Sequence, residues 1–104
     1  MIVFSVRVVV PAAKRSELLK LLGPLLAPTR VQPGCVDARL YADTDDLNAF
    51  TLVEEWESQA EFDRYLASDA RKTVVATMEL SAVPPEVKLD VVEQRTGIEA
   101  IAKG

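Results

Sequence analysis

The predicted element order, β-α-β-β-α-β, is typical of the ferredoxin-like α+β fold, in which helices cover one face of a four-stranded antiparallel sheet. Three observations give this order. Four segments alternate apolar and polar residues, other segments repeat large apolar residues at helical spacing, and Pro or Gly marks several of the junctions. The chain has 104 residues, the size of one domain. We place that domain in residues 1–94 and a C-terminal tail in residues 95–104.

The first strand is predicted over residues 2–10, because every second residue from Ile2 is apolar and forms a face that must be buried. A helix is predicted over residues 12–30, where leucines recur at helical spacing. The pair Gly23-Pro24 predicts a kink or a restart of this helix, since Pro removes a backbone hydrogen bond. The leucine stripe continues beyond the pair, which favours a bend.

A hairpin and a divided second helix follow. Ser58 is predicted to cap the second helix, and Glu61 three residues later completes a capping box. Asp43 to Asp46 is most simply a solvated turn. The remaining elements are predicted as strands over residues 35–42 and 48–57, helices over 59–67 and 70–80, and a last strand over 87–94.

The second face of the sheet is half apolar, because it carries Val9, Val53 and Val92 among polar residues. Solvent covers such a face poorly, whereas a second copy packed face to face would bury it. The sequence therefore predicts a homodimer.

Composition excludes several classes of function. The net charge is −4 and no basic stripe is present, which predicts neither a nucleic-acid partner nor binding to anionic membranes. With one Cys and no His, the chain predicts no intrachain disulfide and no zinc site of nitrogen and sulfur ligands. The N-terminal segment does not resemble a signal peptide, which predicts a cytoplasmic protein.

Four positions carry candidate chemistry, each with a structural alternative. Trp56 could stack on a flat ligand or fill the core, and Tyr65 could donate a hydrogen bond to a ligand or pack its ring inside. Glu54 shares a face with Trp56, so burial would raise its pKa and suit it to proton abstraction, unless it reaches solvent at the sheet rim. Arg7 and Arg39 could stabilise an oxyanion or form cross-strand ion pairs with Asp37, Asp90 or Glu55.

Together these residues resemble the antibiotic biosynthesis monooxygenase (ABM) family over residues 2–94. The matching marks are Pro33-Gly34-Cys35, Leu40-Tyr41, Asp43, Asp46, Phe50, Leu52, Glu54, Trp56, Ser58 and Ser68. The resemblance implies a dimeric α+β barrel and members similar to quinol monooxygenases, anthrone-type monooxygenases and haem-degrading enzymes. Most members place a His where Tyr65 stands, and its absence disfavours haem chemistry. Some catalytic relatives use an Asn on the Trp strand, a role that no residue on the Trp56 face matches here.

The first hypothesis is a cofactor-independent monooxygenase that oxidises a small electron-rich aromatic, such as a quinol or an anthrone, with O₂. In that hypothesis Trp56, Phe50 and Phe62 wall the pocket. Tyr65 or Glu54 handles the proton, and Arg39 or Arg7 holds the anion; no cofactor or metal is required. The second hypothesis is a dimeric module that binds or senses a small aromatic ligand without catalysis. A third is a filled core with no cavity.

Overall fold

The computed structural model describes residues 1–102 and confirms the predicted ferredoxin-like α+β architecture. The last two residues of the predicted tail, 103–104, lie outside the described residues. The elements are β1 (Ile2–Val9), a 3-10 turn (Ala12–Lys14), α1 (Arg15–Arg30), β2 (Cys35–Ala42), β3 (Ala49–Trp56), α2 (Gln59–Leu66), α3 (Ala70–Glu79), β4 (Glu86–Val91) and α4 (Glu99–Ala102).

The sheet has the strand order β2-β3-β1-β4, and every neighbouring pair is antiparallel. Directly paired residues share a face of the sheet, so the register decides which side chains meet. Glu54 of β3 pairs with Phe4 of β1 and with Ala38 of β2. Trp56 is paired in the same way with Ile2 and Cys35. Glu54, Trp56 and the residues paired with them lie on the face that the helices cover.

Helix α1 does not stop at its prolines. It runs unbroken from Arg15 to Arg30 with Pro24 and Pro28 inside it, so the helix does not restart at Gly23-Pro24, the alternative that the leucine stripe disfavoured. Leu18 and Leu22 are buried against the sheet, and this apolar face keeps the helix continuous across the lost hydrogen bonds. The helix begins three residues later than predicted, because residues 12–14 form a 3-10 turn.

The second helix is divided as predicted. Ser58 caps α2 by accepting a hydrogen bond from the Glu61 amide at 3.4 Å. The Glu61 carboxylate pairs with Arg64 at 2.9 Å and, within residues 1–102, does not bond back to the Ser58 amide, so only the Ser58 half of the predicted capping box forms. The helix ends just after Tyr65, whose carbonyl accepts a hydrogen bond from the Ser68 hydroxyl. That contact sets the break between α2 and α3.

The helices leave β4 uncovered. Val87, Leu89 and Val91 are paired with β1 residues of the helix-facing side, yet their exposed fractions are 49%, 46% and 70%. The strand also ends at Val91, three residues before the predicted end. Within residues 1–102, no helix has the length and apolar character needed to span a membrane.

A tight turn between α1 and β2 depends on Gly34. Its φ of +84° lies in the left-handed region, which costs a residue with a Cβ about 1–2 kcal/mol. A Cβ built at this position would also lie 2.4 Å from the Cγ of Glu61, at the start of α2. The turn thereby brings β2 close to the helix that carries Tyr65.

We predict that Gly34→Ala lowers the free energy of unfolding by about 1–2 kcal/mol, because the new side chain meets both the strained φ and Glu61. Urea denaturation followed by circular dichroism measures the change. Gly97→Ala is the matched control, since Gly97 has no positive φ and its nearest contact is the exposed Glu99 side chain. An equal effect of both substitutions would contradict the role of the Gly34 turn.

Candidate functional site

A buried carboxyl group lies at the centre of the candidate site. Strand alternation directs Glu54 towards the helices, between Phe4 and Ala38 of the neighbouring strands, and its exposed fraction is 0%. The Tyr65 hydroxyl donates to Oε2 of Glu54 at 2.7 Å, and the Trp56 Nε1–H group donates to Oε1 at 3.3 Å. Both oxygens of the carboxyl group are therefore engaged by donors from the protein.

Burial changes the pKa values of both Glu54 and Tyr65. Desolvation raises the pKa of Glu54, and the hydrogen bonds from Tyr65 and Trp56 offset part of that rise. Desolvation also raises the pKa of Tyr65, and the adjacent Glu54 adds to the effect while Thr29 opposes it. Glu54 is thus a stronger base than an exposed carboxylate, and Tyr65 keeps its proton at neutral pH.

An aromatic cluster surrounds the pair. The ring of Trp56 lies 4.7 Å from that of Tyr65 and 6.4 Å from that of Phe62, and Phe62 lies 5.0 Å from Phe4. Trp56 has an exposed fraction of 0%, and Phe62 is also buried, as is Phe50 on β3. These rings pack in the core and hold Tyr65 and Glu54 in place.

An open cleft of about 450 Å³ lies between the C-terminal half of α1 and the junction of α2 with α3. Its apolar wall comes from α1 and consists of Leu21, Pro24, Leu25 and Pro28. The other lining residues are Thr29, Gln32, Tyr65, Ser68, Asp69, Ala70 and Thr73. The third hypothesis, a filled core, describes the packing of Trp56, Phe50 and Phe62, and the cleft lies outside that core.

Tyr65 is the one predicted site residue that borders this cleft. Glu54 lies directly behind it, within hydrogen-bond distance. Trp56, Phe50 and Phe62 do not line the cleft. The structure therefore unites Tyr65, Glu54 and Trp56 in one contact network, whereas the predicted wall of three aromatic rings lies behind the cleft.

The cleft-facing side of α1 was missed by the sequence prediction. Thr29 is the polar residue in this wall that lies closest to the Tyr65–Glu54 pair, and only 2% of it is exposed. Its hydroxyl donates to the Leu25 carbonyl at 2.7 Å. Helical spacing groups Leu21, Leu25 and Thr29 on one side of α1, but it gives no sign that open space lies beside them.

Arg39 and Arg7 lie on the face of the sheet opposite Glu54. Arg39 pairs with Asp37 at 2.7 Å, an acid that the sequence suggested, but the pair lies within β2 and not across strands as predicted. Arg7 pairs at 3.0 Å with Asp43, an acid that the sequence assigned to a solvated turn. Hydrogen bonds within these pairs raise the pKa of each arginine and lower that of each acid. The fold does not bring either arginine to Tyr65.

Cys35 lies on β2, opposite Trp56 and close to Glu54. It is partly buried, and its thiol lies 3.6 Å from the Asp37 carbonyl. Desolvation, with a smaller contribution from Glu54, raises the pKa of the thiol to about 11. Within residues 1–102, no three Cys, Asp or Glu side chains converge closely enough to hold a metal ion.

Comparison with protein families decides the classification. The model of the antibiotic biosynthesis monooxygenase family matches residues 1–77. The chain belongs to the ABM family. A relative, protein sll1783 from Synechocystis, is 28% identical over 89 residues. The match covers 85% of this ABM chain and spans 60% of the length of that relative.

Solved structures share the ABM fold. A candidate antibiotic biosynthesis monooxygenase from Deinococcus radiodurans has a TM-score of 0.83 at 18% identity, covering 94% of this chain and 98% of that one. Rv0793 from Mycobacterium tuberculosis has a TM-score of 0.81 at 24% identity, with coverage of 92% and 98%. SnoaB from Streptomyces nogalater, a cofactor-independent oxygenase, has a TM-score of 0.74 at 25% identity, with coverage of 90% and 94%.

We predict that Tyr65→Phe lowers the free energy of unfolding by about 1–3 kcal/mol, because it leaves one buried Glu54 oxygen without a donor. Urea denaturation at neutral pH measures the loss. Tyr41→Phe is the matched control, since Tyr41 is 52% exposed and should change stability by no more than about 0.5 kcal/mol. Equal stabilities for the two variants would contradict the stabilising role of the Tyr65–Glu54 bond.

We predict that Glu54→Gln stabilises the protein increasingly as the pH rises. The raised pKa means that native Glu54 holds its proton above the ordinary value of 4.5, where the unfolded chain has lost it. Wild-type stability therefore falls as the pH rises from the ordinary pKa to the raised one, by up to about 1.4 kcal/mol per pH unit from this group. Because Gln cannot ionise, the Glu54→Gln variant does not lose stability in this way.

The measurement is urea denaturation of wild type and Glu54→Gln at pH values from about 3 upward, a range that extends below the ordinary Asp43 pKa of 3.8. Asp43→Asn provides a control of opposite sign, because Arg7 lowers the pKa of Asp43. Ionised Asp43 stabilises the wild type. The free energy of unfolding of the wild type should therefore increase relative to that of Asp43→Asn as the pH rises. A pH-independent difference between wild type and Glu54→Gln would contradict the buried, proton-retaining carboxyl group.

Proposed function

We propose that this ABM-family chain is a cofactor-independent monooxygenase that oxidises a small electron-rich aromatic, of quinol or anthrone type, with O₂. The observation that carries the proposal is the buried Glu54–Tyr65 pair, of which Tyr65 lines an open cleft. The similarity to SnoaB, a cofactor-independent oxygenase, supports the same reaction class.

The proposed first step is proton removal from the substrate. A phenolic hydroxyl in the cleft gives its proton to the Tyr65 oxygen while Tyr65 passes its own proton to Oε2 of Glu54, 2.7 Å away. No free tyrosinate forms, which suits the raised pKa of Tyr65. The raised pKa of Glu54 strengthens the base that ends the relay.

The redox chemistry belongs to the substrate and O₂. The deprotonated ring gives one electron to O₂, and the resulting radical and superoxide combine into a carbon-bound peroxide anion. This anion takes the proton back from Glu54 through Tyr65 and becomes a hydroperoxide. For an anthrone, the O–O bond then breaks, the ring CH₂ becomes C=O, and the second oxygen atom leaves as water. The balance is one anthrone and one O₂ to one quinone and one water. The protein supplies the proton relay and an apolar wall that keeps water away from the reacting ring.

The second candidate function is a non-catalytic module that binds a small aromatic ligand. Two observations favour it. Both oxygens of Glu54 already accept protein hydrogen bonds, and the family resemblance implies that Tyr65 stands where most members place a His. The same cleft would hold the ligand. Consumption of O₂ separates the two functions.

We also propose that two copies pair through the open face of the sheet, as the family resemblance implies. Val3, Val9 and Val53 are only half-buried on that face in the single chain. Such residues favour a dimer interface, and light scattering across micromolar dilution tests the assembly. The cytoplasmic location and the binding roles of Phe50, Phe62, Arg7 and Arg39 stay predictions.

We expect metal-stripped protein to consume O₂ with a member of a panel of hydroquinones and anthrones, above the autoxidation rate. An oxygen electrode measures the rate. Removing the base or the relay should lower it by about 100-fold or more, so Glu54→Gln and Tyr65→Phe should both be strongly impaired.

Tyr41→Phe is the control that should keep the wild-type rate, because Tyr41 lies on the open face. Full turnover in the double variant Glu54→Gln/Tyr65→Phe would overturn the proposed relay. Absence of O₂ uptake across the panel, combined with binding of panel members, would favour the binding module.

A further inference from the structure

Two oxidisable side chains share one base in the core. Tyrosine and tryptophan are the aromatic side chains that give up an electron most easily, and each carries an acidic hydrogen on its heteroatom. The Tyr65 hydroxyl donates to Oε2 of Glu54 at 2.7 Å, and the Trp56 Nε1–H group donates to Oε1 at 3.3 Å. Both acidic hydrogens therefore already point at an oxygen of the same carboxyl group.

A base in this position makes the tyrosine easier to oxidise. A phenol that loses an electron but keeps its proton is a radical cation, and a positive charge is costly in a buried site. Transfer of the Tyr65 proton to Glu54 avoids that charge, because the products are a neutral phenoxyl radical and a neutral carboxylic acid. Burial, which raises the pKa of Glu54, further favours the acid product.

The Trp56 ring is in direct contact with the ring of Tyr65. The two centroids lie 4.7 Å apart, with 36° between the ring planes, and Phe62, which is much harder to oxidise, packs against both. An electron lost from one ring is therefore readily exchanged with the other. Because Tyr65 has the shorter hydrogen bond to the base, the oxidised state settles on Tyr65, which also borders the open cleft.

We propose that Tyr65, Glu54 and Trp56 form a one-electron redox site that reduces organic peroxyl radicals in the cleft. The peroxyl radical gains one electron and becomes a peroxide anion, which takes a proton from solvent. Tyr65 loses that electron, its O–H bond breaks, and the proton binds Oε2 of Glu54. Only 4% of Tyr65 is exposed, but an electron tunnels across the short distance from the ring to the cleft, so the oxidant needs no contact with the hydroxyl.

This inference goes beyond the proposed function, because it requires neither an aromatic substrate nor oxygenation. It holds equally if the chain is a binding module. It also gives a role to the buried contact between Trp56 and Glu54, which proton removal from a substrate does not use.

The experiment uses pulse radiolysis, which supplies the oxidant directly. In aerated buffer at pH 8 with 2-propanol and carbon tetrachloride, the pulse produces the trichloromethylperoxyl radical, and transient absorption follows the formation of tyrosyl radicals. Tyr41→Phe is the background for the test of Glu54, because the chain has two tyrosines and Tyr41 is 52% exposed. Any tyrosyl signal in that background comes from Tyr65. Circular dichroism verifies that each variant is folded.

We expect Tyr41→Phe to form a tyrosyl radical, and Tyr41→Phe/Glu54→Gln to form it at least about tenfold more slowly. Gln keeps an oxygen that accepts the Tyr65 hydrogen bond but has no basic carboxylate, so the difference reports proton transfer and not packing. Equal rates in the two proteins would overturn the proposal, and so would absence of a tyrosyl signal in folded Tyr41→Phe.

The dependence on buffer is a second test, which leaves the core unchanged. In Tyr41→Phe the proton of Tyr65 passes to Glu54, so the rate of radical formation should not depend on the buffer concentration. The matched control is Tyr65→Phe, in which the exposed Tyr41 gives its proton to solvent and its rate should rise with the concentration of buffer base. A rate for Tyr65 that rises in the same way would refute proton transfer to Glu54.

Discussion

The carboxyl group of Glu54 is the constraint around which the candidate site is organised. A fully buried carboxyl group needs donors, and two different elements supply them: Trp56 from its own strand and Tyr65 from α2. The donation fixes the orientation of both aromatic rings. Because Tyr65 also borders the cleft, the same hydrogen bond connects the core of the sheet to the outside of the protein.

The surrounding fold keeps this connection in place. Gly34 permits the turn that brings β2 against the start of α2, and Ser68 ends α2 one turn after its last buried contacts. Two prolines shape the opposite wall of the cleft without interrupting α1. The site therefore depends on backbone features at both ends of α2 as well as on its own side chains.

Sequence patterns predicted the parts of this structure that depend on local periodicity. Alternation along β3 directed Glu54 and Trp56 to the same face, and the Ser58 cap placed Tyr65 on the following helix. Alternation shows which face a side chain is on but not how deeply it is buried, so it left open whether Trp56 lines a pocket or fills the core. The leucine spacing of α1 likewise could not reveal the cleft, which depends on how far α1 stands from α3.

The partners of the charged residues show the same limit. Arg39 pairs with Asp37, two residues away on its own strand, a partner that the sequence suggested. The partner of Arg7, Asp43, lies 36 residues along the chain, in a loop whose path the pattern of residues does not define. Contacts of this kind need the three-dimensional register, which hydrophobic periodicity alone does not provide.

The environment of Cys35 has a consequence for a protein proposed to handle O₂. Peroxides attack thiolates, and a thiol with a pKa of about 11 is ionised in only about one molecule in ten thousand at pH 7. The burial and the nearby carboxyl group that raise the pKa of this thiol therefore protect it from sulfenic acid formation. The cysteine that lies beside the proposed site of O₂ chemistry is thereby kept in its less reactive thiol form.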